Sequence, residues 1–297
     1  MFDTRSSNFL VISGDQQSNF AAKLFYVPIN FIVNILGRLS KLKFKKIYPK
    51  FSIEQIESAI EVNPSASPGR VLSNIFWESL NFKLILDLLD APVKIIDLGC
   101  GSGSLSSLTS KFPKPTHYIG IDSQNRFMQE QNIEINFVQT NALNIVNYLP
   151  ANLIISQSAL EHFKLDLPIF KDLFQFSEVH KKPIIQIHII PSFTCLRLYL
   201  NHGYRQYTPR VLNRILRGLP KNSSAQIVML GGKNCNSFHF WKITLPTFIK
   251  IFRKIKLANK TTIQESILKD LKYKKSVTFY ALIIYHNIIK NELRIIN

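Results

Sequence analysis

The chain has 297 residues, 46% of them hydrophobic, enough to bury a full core as one large domain or one domain with additions. Its three cysteines, Cys100, Cys195 and Cys235, are odd in number and lack C-x-x-C or metal-ligand spacing, which argues against a disulfide framework and for a reducing compartment. The formal net charge of +18 invites a nucleic-acid or membrane reading, but lysine, asparagine and isoleucine are abundant everywhere and no RNP-type segment occurs, so the charge alone carries little weight.

Roughly the first twenty residues are polar. No basic stretch followed by an apolar run opens the chain, and no run of about 18 apolar residues follows, so neither a secretory leader nor a spanning helix is expected. From Leu24 to Lys46 an amphipathic pattern places Phe25, Ile29, Ile32, Leu36 and Leu39 at helical spacing and ends in Arg38, Lys41, Lys43, Lys45 and Lys46. The favoured reading is a lid or cap helix packed on the core with a solvated basic face. The alternative is a peripheral contact with an anionic membrane surface, which would put a cytoplasmic protein at the inner face of the membrane. Ser52 and Gln55 are spaced as a capping box for a helix reaching Glu61. Pro64 to Gly69 breaks the chain, which divides it into an N-terminal helical extension over 1–69 and a main domain over 70–297. Arg70 to Asp90 reads as one helix leading into the first strand.

Strand and helix then alternate, the pattern of a parallel sheet with right-handed crossovers. Strands are expected near 93–97, 117–121, 135–139, 151–156 and 183–189, followed by a final pair, Ala225 to Leu230 and Ser276 to Tyr285. About 45 residues separate that pair, giving a helical insertion at about 231–274 with Phe240-Trp241 and a basic run, Lys250 to Lys256.

The most informative stretch runs from Val93 to Gly103, where an apolar strand meets Asp97 and then a turn with Gly99, Gly101 and Gly103 that opens a helix from Ser104 to Lys111. Glycine permits φ > 0 and close approach of the backbone to a ligand. A dinucleotide fingerprint would be G-x-G-x-x-G, but Ser104 stands where its third glycine would be. The carboxylate of Asp97 at the mouth of the turn would repel a pyrophosphate and attract an ammonium or sulfonium. The pattern D-x-G-x-G-x-G resembles the first motif of the class I S-adenosylmethionine-dependent methyltransferases. Asp122, which ends Tyr118-Ile119-Gly120-Ile121 and lies 25 positions after Asp97, matches the acid that holds the adenosine ribose in that family. The segment Ile135 to Ala142 is similar to the family's F-x-x-G-D-A, with Thr140 and Asn141 in place of the glycine and aspartate. Ala151 to Phe163 resembles F-D-L-I-x-S-x-x-V-L-E-H-I, with Asn152 in place of the first aspartate, in a role read as structural.

The resemblance implies a Rossmann-like, seven-stranded, mostly parallel sheet with an antiparallel last strand, N-terminal helices and a helical insertion. It implies S-adenosylmethionine as cofactor, held by Asp97, Gly99, Cys100, Gly101, Gly103, Asp122, Asn141, Ala142, Ser156 and Gln157. His162 is the candidate general base, with a supporting structural role as its alternative, while Glu161 is expected at solvent or the cofactor rim. His188, set among isoleucines, reads as a hydrogen-bonded core residue. His202, Tyr204, Arg205 and Tyr207 follow the fifth strand, where acceptor-side loops lie, and their polar and aromatic character suits a hydroxylated ligand. The preferred acceptor is a small molecule, most simply a sugar hydroxyl of a polysaccharide precursor. RNA, a membrane quinone or lipid, and a non-catalytic binding role are the alternatives. No metal is expected, and N-P-P-Y, G-x-S-x-G, P-loop and H-E-x-x-H motifs are absent.

Overall fold

The computed structural model describes residues 28–29, 31–37, 39–64, 66–89, 91–163, 165–195, 206–245, 260–273, 276–288 and 295–296. Within them a single sheet contains eight strands, in chain order β1 (Lys45–Ile47), β2 (Lys94–Leu98), β3 (His117–Asp122), β4 (Ile135–Gln139), β5 (Leu153–Gln157), β6 (Ile184–Pro191), β7 (Ser223–Leu230) and β8 (Phe279–His286). Across the sheet the order is β4-β3-β2-β5-β6-β8-β7-β1. The pairs from β4 to β6 are parallel, and β8 runs antiparallel between β6 and β7.

The sheet thus has one strand more than the seven expected. Lys45–Ile47 pairs in parallel with Gln226–Val228 at the edge. A three-residue strand carrying two lysines has no sequence signature of its own; its charge suits an edge that must not recruit another chain.

Both faces of the sheet are covered, as parallel sheets require. On one face Ile95, Ile155, Ile187, Val228 and Ile283 pack with the helices Ile53–Val62, Pro68–Glu78 and Lys260–Tyr273. On the other, Ile96, Leu98, Ile121 and Ile154 pack with Ile169 and Leu173 of the helix Asp166–His180. The capping box forms as read: Ser52 accepts from the Gln55 N–H while the Gln55 side chain accepts from the Ser52 N–H.

The single helix expected over 70–90 is two, Pro68–Glu78 and Phe82–Leu88. Ser79 folds back, its hydroxyl donating to the Ile75 carbonyl at 2.6 Å, and Asn81 caps the second helix by accepting from the Leu84 N–H at 2.9 Å. The Asn81 N–H donates to the carbonyl of Ile295 at 2.7 Å, so a residue more than 200 positions away fixes the break. The insertion is helical where described, with Lys233–His239, a π turn over Phe240–Thr244 and Lys260–Tyr273; the basic run 250–256 lies outside the described residues.

Asn152, which precedes β5, ties the start of the central strand. Its Oδ1 accepts from the Lys94 N–H at 2.8 Å and its Nδ2 donates to the Pro92 carbonyl at 3.1 Å. An alanine there would leave strand-end groups short of partners. Asn152→Ala is expected to lower the unfolding free energy by about 1–3 kcal/mol, read as a urea midpoint shift at unchanged slope. An unshifted midpoint would contradict this role.

Candidate functional site

β2 pairs with β3 on one side and β5 on the other, while the chain runs β2-β3-β4 before returning to β5. The order therefore reverses between β2 and β5, and in an open α/β sheet the crevice beyond the carboxyl ends at such a reversal is where ligands bind. The turn after β2 and the turn after β5 meet there.

Gly99, Gly101 and Gly103 all have positive φ, at 69°, 53° and 78°. A Cβ on Gly99 would overlap Ala159 of the turn after β5, and one on Gly103 would overlap the ring of Phe127. Around Gly101 nothing lies within 4 Å of the position a Cβ would take. Two glycines are therefore demanded by packing, and the third leaves open space. Asp122, at the end of β3, accepts the Gly101 N–H through Oδ2 at 2.9 Å and the Gln124 N–H through Oδ1 at 2.9 Å, and so sets the shape of the turn. The helix that follows, Ser104–Lys111, has 3-10 rather than α pitch.

Asp97 is 2% exposed. Its Oδ2 accepts from the hydroxyl of Tyr118 at 2.7 Å, and its buried Oδ1 has no hydrogen-bond partner among the described residues. Burial raises its pKa to about 7 against the opposing Tyr118 hydrogen bond, with the nearby Asp122 charge adding to the rise. Register explains the Tyr118 contact. Tyr118 lies opposite Ile95 and Gly120 opposite Asp97, so the bare Gly120 leaves room for the tyrosine ring to reach diagonally to the carboxyl. A Cβ on Gly120 would also press within 2.8 Å of the Cys100 sulfur. Cys100, like Cys195 and Cys235, is a buried free thiol.

Beyond β4, Asn141 is exposed and accepts the Leu143 N–H at 3.0 Å, while Ala142 is buried beneath the rim. Beyond β5, Gln157 accepts from the Trp77 indole N–H at 2.6 Å, which brings the helix Pro68–Glu78 to the site. Ser158 follows in the left-handed region at φ 50°, a conformation that a non-glycine residue holds only where its surroundings fix it. Its N–H donates to the Ile189 carbonyl at 2.9 Å.

Two residues expected at the site are turned into the core. Ser156 is fully buried with its hydroxyl 2.9 Å from Nδ1 of His188, because its place on the strand faces the neighbouring strand's histidine. Tyr207 is fully buried and its hydroxyl donates to Asp166 Oδ2 at 2.7 Å, so its side chain is not available to an acceptor. His202, Tyr204 and Arg205 lie outside the described residues. His188 is a core residue with partners: its Nε2 lies 3.1 Å from Gln186 Oε1, and Gln186 reaches Nε2 of His286 at 2.7 Å. Burial lowers the pKa of His188 to about 3 and that of His286 to about 4.

Of the two places expected for Glu161, solvent and the cofactor rim, the structure excludes solvent. Glu161 is 2% exposed, in the short turn Leu160–His162, and burial raises its pKa to about 8. One of its oxygens has no hydrogen-bond partner among the described residues, and its charge also raises the pKa of Cys195, just beyond β6. Its half-buried neighbour His162 shares that turn. Sequence pattern could not separate a buried glutamate here from a rim one, because the turn has no periodicity. Trp77, Tyr118 and Phe127 were likewise missed as site residues, since each arrives through packing or register. Among the described residues no cluster of three His, Cys, Asp or Glu side chains could hold a metal ion.

The strand order, with β8 antiparallel between β6 and β7, gives the mostly parallel sheet with an antiparallel last strand that the sequence resemblance implies, widened by β1 at one edge. No family model matches the chain, and no curated protein matches it in sequence. Among solved structures it is similar to the plantazolicin methyltransferase BamL, crystallised with a desmethylPZN analogue and SAH, at 18% identity over 88% of this chain and 97% of that one, with a TM-score of 0.47. The plantazolicin methyltransferase BpumL with SAH follows at 14% identity over 89% and 99%, TM-score 0.46. A SAM-dependent methyltransferase from Archaeoglobus fulgidus is similar at 14% identity over 79% and 94%, TM-score 0.41.

The raised pKa of Glu161 has a consequence for stability. Between its ordinary value of 4.5 and about 8 the folded chain holds a proton that the unfolded chain has lost, so stability falls as pH rises through this window. The lowered values of His188 and His286 act oppositely, but only below their ordinary 6.5. From pH 7 to 8 the fall comes mainly from Glu161, with Asp97, raised to about 7, adding to its first part. The melting temperature is expected to fall over that range, and Glu161→Gln to flatten the fall. An equal slope in the variant would contradict burial of this carboxyl.

Proposed function

We propose that the chain is an S-adenosylmethionine-dependent methyltransferase acting on a small-molecule acceptor, with a sugar hydroxyl of a polysaccharide precursor as the preferred target. The observation that carries the reading is the open space at Gly101, in the turn that follows the buried, incompletely hydrogen-bonded carboxyl of Asp97. A cradle with room for a ligand backbone and an adjacent anion fits the cofactor's methionine end, whose ammonium and sulfonium are both cationic. Asp122 would give its carboxylate to the ribose hydroxyls, exchanging its hold on the glycine turn. Gln157, steadied by Trp77, and the segment Asn141-Ala142 border the remaining cofactor space.

When bound, the cofactor supplies an electrophilic methyl group whose departure leaves a neutral thioether, so no acid is required at the leaving group. What the protein must supply is alignment of the acceptor and removal of its proton. Burial raises the pKa of Glu161 to about 8, so it can donate a hydrogen bond at pH 7, and His162 in the same short turn is the candidate base. His162→Ala is expected to cut turnover roughly a hundred- to ten-thousand-fold with little change in cofactor affinity. Equal losses in both would assign it a structural role.

Cofactor binding is tested by calorimetric titration with S-adenosylmethionine. Asp122→Ala should weaken binding by about 1.5–3 kcal/mol, roughly ten- to a hundredfold. A cation placed beside Asp97 favours its ionised form, so affinity should rise as pH climbs through about 7, and Asp97→Asn should abolish that rise. A folded wild type that binds neither S-adenosylmethionine nor its demethylated product would sink the reading and favour a repurposed, non-catalytic fold.

A further inference from the structure

The helical residues 31–37 do not pack on the core as a cap. Phe31, Ile32, Val33, Ile35, Leu36 and the following Leu39 are each 47–76% exposed. The segment is held along one narrow edge. Asn34 is buried and donates to Gln206 Oε1 at 3.4 Å, and Gly37 lies against Thr208, where a Cβ would come within 2.5 Å of the hydroxyl oxygen. A helix apolar on nearly every side is ordinarily covered by something, and so large a contiguous apolar patch marks an interaction surface.

What lies beside it identifies the partner. The chain leaves the helix into a cleft of about 580 Å³, lined by Lys41, Lys43, Arg210 and Arg217 with Phe44 and Asn213. Asn213 joins its walls by donating to the Lys41 carbonyl at 2.7 Å and accepting the Lys43 N–H at 3.1 Å. β1 then anchors the segment to the sheet. No carboxylate lines the cleft, and the sequence contains none between Asp15 and Glu54 or between Glu178 and Glu265. The cations are therefore not internally neutralised.

We propose that this surface docks on an anionic phospholipid bilayer. The exposed aliphatic and aromatic side chains of 31–39 enter the boundary between headgroups and acyl chains, and the cleft takes lipid phosphates. No described helix is long and apolar enough to cross a membrane, so the contact is interfacial. A nucleic-acid partner would use the cations but gain little from six exposed apolar side chains, of which only Phe31 could stack on a base. A second copy of the chain would bring its own cleft of like charge against this one. The proposal is independent of the cofactor reading.

The test is co-sedimentation of the full chain with vesicles of phosphatidylcholine alone, or with about one third phosphatidylglycerol. The wild type is expected to bind the anionic vesicles at least about tenfold more tightly than the neutral ones, with binding weakened by added salt. Ile32→Glu with Leu36→Glu, both at exposed positions, should abolish binding while leaving the melting temperature unchanged. Lys41→Glu with Arg210→Glu should remove the preference for anionic lipid. Wild type that stays in the supernatant with both vesicles would overturn the proposal, as would binding indifferent to the Ile32 and Leu36 changes. An oligouridylate that binds the wild type and that double variant equally, and displaces the vesicles, would reassign the surface to nucleic acid. A dimer seen by light scattering and lost in the double variant, without vesicle binding, would reassign it to self-association.

Discussion

The turn from Gly99 to Gly103 is confined from two directions, by Ala159 of the neighbouring turn and by Phe127 of the loop after β3. No side chain fits at either contact, and all three glycines occupy the left-handed region. This squeeze brings the ends of β2, β3 and β5 together around a space that opens only at Gly101. Asp122 closes the arrangement by binding the N–H of the same residue. Asp97, buried in the strand that leads into the turn, has Tyr118 occupying one of its oxygens. The site is thus a product of backbone shape first and charge second.

The sheet that presents this turn carries an unusual polar seam. Ser156, His188, Gln186 and His286 link across β5, β6 and β8, with Ser223 Oγ 2.7 Å from Nδ1 of His286. Burial keeps both histidines neutral, with one donor and one acceptor nitrogen each: His188 donates from Nε2 to Gln186 Oε1 and accepts at Nδ1 from Ser156, while His286 accepts at Nε2 from the Gln186 amide. Such a seam fixes strand register, because a slip would strand several polar groups in an apolar interior. That register in turn sets Gln157, at the end of β5, opposite Ile189 of β6.

Much of this was legible in the sequence. The central strands read as apolar runs because both sheet faces are covered there, and the acids near the ends of β2 and β3 marked the rim. The capping box at Ser52 and Gln55 was local enough to read outright. What escaped depended on partners distant in sequence. β1 exists through pairing with β7, and the break after Glu78 is fixed by Ile295. Ser156 and Tyr207 are polar residues near strand ends, and only the fold shows that their hydroxyls meet His188 and Asp166 rather than a ligand. Burial of Glu161 was hidden for the same reason, whereas the exposed helix 31–37 inverted the expectation of a packed cap.

Binding of S-adenosylmethionine at the glycine turn is what every proposed cofactor contact requires. Amide hydrogen exchange, followed by mass spectrometry with and without S-adenosylmethionine, addresses the location of binding directly. The expected result is slowed exchange concentrated in residues 99–104 and 122–124, where the turn and the Asp122 carboxylate that binds it lie. Binding without protection there, with slowing instead around the basic cleft at residues 40–44 and 210–217, would contradict it.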